Sequence, residues 1–400
     1  MLDVKNVLWR IMSRFVSFAL VFAAAAHAGE PLSVDLTADQ VYDDNLFRLP
    51  GNVDPKTIIG NSQAHDVISR LGVQLNWDVP LSLQRLNGNV GIVVNRFEYN
   101  HQLDNNSLNM ALGWEGEWAK LWKGNGKWRR EQSLASFADF QNDQRNIITR
   151  DYVEAGLSRQ ISSYWMMFGH LERGTFANSL ASQQYNDRHT LNVRLGVTGQ
   201  SSAGSEMKLF ISSRTVDFVN WTWSPGSAQD DGLREDALGF SLRWSITDST
   251  TAEAGARIEQ VTTTHLPQND FSGNTYDLVL AWNDGGALKG RAAISRNIDA
   301  QESTYANYVL RQGGRLTGQW AMRSMWLVRA QMSHEELDYR GGSAASRADT
   351  LDDMSLALVY IPFRITEFSI MYSESKRDSS ATFGNFHDRS LQWEARVHWD

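Results

Sequence analysis

The sequence predicts an all-β chain: a transmembrane antiparallel β-barrel of about 18 strands, with 16 as the other even count its segment boundaries permit. Three observations predict it. Apolar and polar residues alternate in segments of about ten residues between Leu32 and Trp399, the links between segments alternate short and long, and the tryptophans gather beside the short links.

The first residues read as an export signal. Lys5, Arg10 and Arg14 make a positive start, Phe15 to Ala26 is a short apolar run, and Ala26-His27-Ala28 is a small-x-small cleavage site. Residues 1–28 are therefore expected to leave, with the barrel occupying residues 29–400. The lost segment carries three positive charges against Asp3, so the formal charge moves from −8 to −10. An exported acidic chain lacks the basic surface that nucleic acid requires. There is no cysteine, so no disulfide holds the fold together. No apolar run after residue 28 approaches the roughly 20 residues that a membrane helix needs.

The alternation comes next. Leu71, Val73, Leu75 and Trp77 oppose Gly72, Gln74 and Asn76; Leu108, Met110, Leu112, Trp114 and Trp118 oppose Asn109, Ala111, Gly113, Glu115 and Glu117. The pattern continues through Leu191–Thr198 and Leu238–Ile246 to Leu391–Trp399. Successive strand side chains point to opposite faces, so each segment has one greasy and one polar side. Leu83–Tyr99 and Ser133–Phe140 complete the count of segments.

A soluble sandwich also alternates, so the links decide. Short ones fall at Asp78–Leu81, Gln160–Tyr164, Gln200–Ser205, Thr247–Thr250, Asn283–Ala287, Ala321–Ser324 and Ile361–Ile365. Long polar ones lie between, including Asn220–Glu235, Thr262–Asn274, Leu337–Thr350 and Lys376–Asp388. Periplasmic turns and extracellular loops of outer-membrane barrels differ in this way. Trp77, Trp118, Trp122, Trp128, Trp165, Trp244, Trp282, Trp320, Trp326 and Trp399 stand beside short links or the C-terminus, the height of one membrane–water interface. The chain departs from the usual aromatic last residue, because Asp400 follows Trp399.

Tyr42-Asp43-Asp44-Asn45-Leu46-Phe47-Arg48-Leu49 closes the first segment. With an export signal and a Trp-rich alternating barrel, this D-D-N-L-F-R-L motif resembles the EpsL-type family, outer-membrane β-barrels of exopolysaccharide loci that often accompany exosortase systems. The resemblance implies a conduit that exports polysaccharide, working with a periplasmic export protein.

If the apolar sides meet lipid, the polar sides line a lumen. That register turns Arg70, Arg194, Arg243, Arg257, Arg291, Arg311, Arg315, Arg329 and Arg396 inward, with Arg311, Arg315 and Arg329 on neighbouring segments. Guanidinium forks suit uronate, pyruvyl or sulfate groups on a moving polymer. Glu115, Glu117, Glu154, Glu253, Glu259, Glu367 and Glu394 share the interior, so ion pairs that brace the wall are the competing expectation. In the long links, Trp221, Trp223 and Tyr339 offer rings on which sugars stack, and loop acids could bind cations between lipopolysaccharide molecules.

No metal site is expected: Asp43-Asp44-Asn45 supplies oxygens without EF-hand spacing. No cofactor and no catalytic residue is expected either, since G-x-S-x-G, H-E-x-x-H and phosphate-loop patterns are absent. The reading is a polysaccharide conduit in the bacterial outer membrane, in contact with membrane lipid and lipopolysaccharide. A general or substrate-selective porin for small polar solutes comes second, and a lipid-modifying enzyme third.

Overall fold

The computed structural model describes residues 32–60, 62–138, 140–299, 306–341 and 347–399. The export signal and Asp400 lie outside them. The first nine strands are β1 (Leu32–Asp43), β2 (Asp66–Leu81), β3 (Gln84–Phe97), β4 (Asn105–Trp118), β5 (Trp122–Leu134), β6 (Ile147–Gln160), β7 (Trp165–Asn178), β8 (Arg188–Gln200) and β9 (Glu206–Phe218). The second nine are β10 (Gly232–Thr247), β11 (Thr250–Thr263), β12 (Phe271–Asn283), β13 (Leu288–Asp299), β14 (Tyr308–Arg323), β15 (Trp326–Arg340), β16 (Ala348–Phe363), β17 (Thr366–Ser379) and β18 (Phe386–Trp399).

Each strand pairs antiparallel with its neighbours in sequence, and β1 pairs with β18 from Val34↔Trp399 to Asp43↔Ser390, so one 18-stranded sheet closes on itself. Closure gives every ladder N–H and C=O a partner where no water can supply one. The count of 18 agrees with the sequence. Leu83–Tyr99 corresponds to β3, but Ser133–Phe140 does not form a strand: β5 ends at Leu134 and the chain turns into a loop. Its apolar residue Phe137 belongs to a buried loop cluster, which is why it imitated a strand residue.

Register sorts the two faces. Leu36↔Val73, Val73↔Ile92, Leu112↔Trp128, Leu195↔Ile211, Leu238↔Ile258 and Ile370↔Trp393 share the outer face, and most of these side chains are exposed. A monomeric soluble protein does not expose so continuous an apolar girdle; its partner is hydrocarbon. In β4 the outer apolar run reaches from Leu108 to Trp118, which for a tilted strand covers about 25 Å of bilayer.

The tryptophans line the outer face at the short-turn end, and several lie flat across glycine. Trp77, Trp165 and Trp282 are register partners of Gly88, Gly199 and Gly290. The rings occupy the space where a Cβ would stand. At Gly88 that Cβ would lie 2.4 Å from the Trp77 ring and 2.4 Å from the Ala111 carbonyl oxygen, whereas at Gly318 it would meet nothing within 4 Å. Gly88→Ala should therefore destabilise the barrel by about 1–3 kcal/mol through overpacking, and Gly318→Ala should not. The temperature at which the unboiled gel band converts to the unfolded one checks this; equal temperatures for both variants would refute it.

Candidate functional site

The lumen is narrowed at the long-loop end by segments that fold inward. In the first loop Asp54 caps a short helix, α1 (Pro55–Ile59), by accepting from Lys56 N–H, with Pro55 in its first turn and Gly60 in the left-handed conformation that ends it. This returns Ile59 onto Leu46, Phe47 and Leu49, and the cluster is completed by Phe97, Leu103 and Phe137. Phe47 and Leu103 are 0% exposed. The D-D-N-L-F-R-L motif is the anchor of this loop. Arg48, held at φ 55°, lies 3.1 Å from the Asp43 carboxylate and 2.9 Å from that of Asp388, while Asn45 donates to the carbonyls of Leu49 and His387.

The β5–β6 loop crosses to the far wall. Gln141 donates to the carbonyls of Arg48 and Phe383, and Arg377 of β17 donates to the carbonyls of Ala138 and Gly384. A second cluster closes the other side: Val216, Phe218, Leu233 and Val261 pack with Ile298, Tyr308 and Leu310. It forms because β13 pairs with β12 only as far as Tyr276↔Arg296 and then continues with β14 alone.

Beneath these clusters the described residues enclose several lumen cavities, two of them of about 1120 and 510 Å³ and a third of about 240 Å³. The first is lined by Arg85, Lys123, Arg194, Lys208 and Arg257 together with Glu115, Glu117, Glu206, Asp277 and His170. Four of its cations are held: Arg85 by Asp78, Lys123 by Glu117 at 2.6 Å, Lys208 by Glu206 at 2.6 Å and Arg257 by Glu259 at 3.1 Å. Arg194 has no ion pair among the described residues; its guanidinium lies over the Phe210 ring at 4.7 Å and its Nε has no partner. The second cavity is lined by Lys289, Arg291, Arg329 and Arg396 with Glu367 and Glu394. Arg329 grips Glu367 at 2.9 Å and Arg396 meets Glu394 at 3.0 Å. Among the described residues Lys289 and Arg291 have no partner.

All the arginines expected in the lumen share the inward face, but they divide by partner. Arg70 is tied to Asp39 at 2.6 Å, and Arg243 lies 3.7 Å from Glu253. Arg311 and Arg315 of β14 both reach Glu335, at 2.7 and 3.5 Å, and Arg311 also meets Asp299. Arg329 sits near the short-turn end of β15 instead, so these three do not form one patch. Lys289, Lys127, Lys208 and Arg214 were missed, although all four share the parity of neighbouring lumen residues, which is the signal that finds them.

The ring candidates move further. Tyr339 is a strand residue of β15, 1% exposed, with its hydroxyl on Asp349 at 3.1 Å and the Arg347 guanidinium over its ring. It cannot serve as a loop platform for sugar. Trp221 packs against the second cluster and donates to the Gln229 carbonyl. Trp223 stacks on His265 at 4.7 Å with planes 5° apart. Among the described residues, three groups of His or acid side chains come close enough to share a cation: Glu154, His170 and Glu172 in the wall, Asp230, Asp231 and His265 in the loops, and Asp43, Asp44 and Asp388 at the seam. In the last group Arg48 already supplies the positive charge.

Asp230 anchors the β9–β10 loop. Burial would raise its pKa, but hydrogen bonds from the backbone and ring of His265 and from the backbone of Leu266 and Gly232 outweigh burial and hold the carboxyl below its ordinary range.

The chain matches no protein-family model and no curated protein, so the D-D-N-L-F-R-L resemblance receives no family assignment. Solved structures do match. OccAB3 of Acinetobacter baumannii superposes with a TM-score of 0.50 at 9% identity, over 92% of this chain and 99% of that one. OccK2 (OpdF) of Pseudomonas aeruginosa in complex with glucuronate gives 0.52 at 9%, over 92% and 98%. A BenF-like porin from Pseudomonas fluorescens Pf-5 gives 0.52 at 8%, over 92% and 99%. The chain is a bacterial outer-membrane β-barrel. What it shares with these porins is the fold and its closure over nearly the whole length.

Phe47→Ala empties the centre of the first cluster, a loss of about 3–5 kcal/mol of local packing, and should raise single-channel conductance and open-channel noise in planar bilayers; unchanged traces would show that the loop does not narrow the path. Because the folded-state pKa of Asp230 is lowered, its anchor is complete above the unfolded value of 3.8 and is lost as pH falls through the lower folded value. Hydrogen exchange in the 219–231 loop, corrected for its intrinsic pH dependence, should show steady protection from neutral pH to about 4 and falling protection below that. Asp230→Asn should lower protection across the whole range.

Proposed function

We propose that this barrel is a passive, selective channel for small acidic solutes. The observation that carries the reading is the conjunction of a mouth packed by buried apolar side chains with three unpaired lumen cations, Arg194, Lys289 and Arg291, in cavities of small-molecule size. A barrel of this strand number leaves an aqueous lumen. Unpaired guanidinium and ammonium groups facing water lower the energy of an anion inside without holding it as tightly as a closed pocket would, which is what conduction demands. The cations already paired with Glu335 and Glu367 brace the wall.

A solute carrying a carboxylate on a polar ring fits this lining. Arg291 and Lys289 stand among Thr317, Gln319, Gln331 and Gln392, whose amides and hydroxyls suit sugar hydroxyls. The glucuronate-bound OccK2 barrel, similar in fold, is in keeping with that class. Polysaccharide export fits less well, because a polymer would need the first loop, the β5–β6 loop and the second cluster all to leave the mouth.

The test is a planar-bilayer reversal potential in a salt gradient together with liposome swelling. The wild-type channel should prefer anions, admit a monosaccharide acid and exclude a neutral hexasaccharide. Replacing Arg194, Lys289 and Arg291 together by glutamine should cut the anion preference several-fold, as expected when fixed charges of one sign line a pore, while replacing Arg311, Arg315 and Arg329 should chiefly lower stability. An unchanged reversal potential in the first triple variant would overturn the proposal.

A further inference from the structure

The outer wall carries a feature that transport through the lumen does not use. The apolar girdle ends at one level around the barrel, at Val153 and Leu171, Leu191 and Ile211, Leu238 and Ile258, Ile294 and Leu316, and Met332 and Met354. Beyond it, toward the long loops, the outer face turns polar on most strands, whereas on β13 and β14 the same face continues past Arg296 as Ile298, Leu310 and Tyr308, which pack into the second mouth cluster. Most cations of this collar are matched by an acid on the same face: Arg130 with Asp151 at 2.8 Å, Arg234 with Asp236 at 2.9 Å, His334 with Asp352 at 2.7 Å, His387 with Glu374 at 2.6 Å and Lys376 with Asp378 at 2.6 Å.

Among the described residues, Arg173 and Arg296 make no ion pair and face no acid across either neighbouring strand, whereas Arg389, also without an ion pair, stands opposite Glu374. Arg173 of β7 shares the outer face with Val153 and Leu191, its register partners, and is the first polar residue above Leu171. It is exposed and has no acid partner among the described residues. Arg296 of β13 shares the outer face with Tyr276 and Gln312 and is the first polar residue above Ile294. It is half-buried, its Nε is shielded without a hydrogen-bond partner, and it too has no ion pair among the described residues. On the same face Thr175 and His189 lie beside Arg173, with Asp151, already held by Arg130, diagonal to it, and Asn274 and Gln312 lie beside Arg296.

The geometry points to a pair of lipopolysaccharide contacts, one on each flank of the barrel, in which Arg173 and Arg296 bind the phosphates of the glycolipid. A cation left uncompensated where the hydrocarbon layer stops is costly unless the surrounding medium brings an anion to it. The long-loop end of an outer-membrane barrel faces the outer leaflet. Its characteristic lipid joins acyl chains to a phosphorylated sugar, so the phosphates lie just above the girdle, with hydroxyls beside them. Guanidinium binds phosphate through two parallel N–H···O bonds, and the neighbouring Thr, Asn and Gln side chains reach sugar oxygens. The matched pairs elsewhere on the collar have their charge answered within the protein and make no such demand. The contacts are independent of what crosses the lumen.

The experiment uses the whole barrel in detergent and in nanodiscs. Purified wild type is expected to retain lipopolysaccharide, measured as bound phosphate and 3-hydroxy fatty acid, and to bind added lipopolysaccharide more tightly than phosphatidylglycerol. Arg173→Gln and Arg296→Gln should each weaken that binding about tenfold, and the double variant should lose the bound glycolipid. Lys376→Gln, which removes a matched cation far from both arginines, should bind as wild type does. Heat-modifiable migration and the reversal potential should be those of wild type in every variant, which keeps a folding defect or a lumen effect distinguishable. Undiminished lipopolysaccharide binding in the double variant overturns the assignment. So does equal affinity for phosphatidylglycerol, which would mean an unselective response to anionic lipid, and so does an equal loss in Lys376→Gln, which would make the effect one of total collar charge.

Discussion

The constraint on which everything else rests is the absence of water around the middle of the wall. A strand that crosses hydrocarbon must pay for each unpaired backbone N–H or C=O with several kcal/mol, and the only sheet without such groups is one that closes. The pairing of β1 with β18 is the closure. It fixes the direction of both strand ends, and through the period of two it assigns every side chain on the wall to lipid or to lumen. A slip of β1 by one residue against β18 would put Leu36 into the lumen and Thr37 into the bilayer. The register is therefore held by solvation on both faces as well as by the ladder itself.

This is why so much of the fold was legible. Segment length, strict alternation, the sorting of links and the gathering of tryptophan all follow from a bilayer of fixed thickness, so they recur in every hairpin and can be read without knowing any contact. Ser133–Phe140 escaped because Phe137 serves a loop cluster, and an apolar residue buried over the mouth carries the same signal in sequence as one facing lipid. The same ambiguity hid the inward fold of Leu46, Phe47 and Leu49. Pairing of charges was not legible for a different reason. Parity tells which face a side chain takes but not which neighbour it reaches. Arg329 of β15 bridges to Glu367 of β17, two strands away, across the small side chain of Ala357, its own register partner on β16. No spacing rule along the chain contains that contact.

The lumen charges show how bracing and selectivity coexist in one wall. A cation within reach of a carboxylate gains a strong local partner and is then poorly available to a solute. Arg70, Arg214 and Arg311 are of this kind, each with an acid on the adjacent strand. Arg194 differs because its register partners on either side are His170 and Ser212, and the nearby Phe210 offers only a ring face. Arg291 differs because Ala281 and Thr317 flank it. Whether an inward arginine is free is thus decided by whether an acid lies within reach, opposite it as for Arg70, on its own strand as for Arg257, or two strands away as for Arg329.

The two rims of the barrel complete the argument, because they solve different problems with different residues. At the short-turn end the wall meets an interface of ordinary phospholipid head groups, and flat indole rings laid across Gly88, Gly199 and Gly290 fill it without any fixed charge. At the long-loop end the strands run on past the hydrocarbon, and the outer face answers with ion pairs such as Arg130 with Asp151. A symmetric membrane would give no reason for one rim to be aromatic and the other ionic. The asymmetry is intelligible if the outer leaflet presents charge and sugar above its acyl chains, so that a protein wall there is solvated by polar groups over a greater height than on the inner side. The same asymmetry accounts for the direction in which the loops have grown. Residues that leave the long-loop rim can fold back over the lumen, and the apolar ones among them find burial in the mouth, the only place at that height where they escape both water and the charged collar.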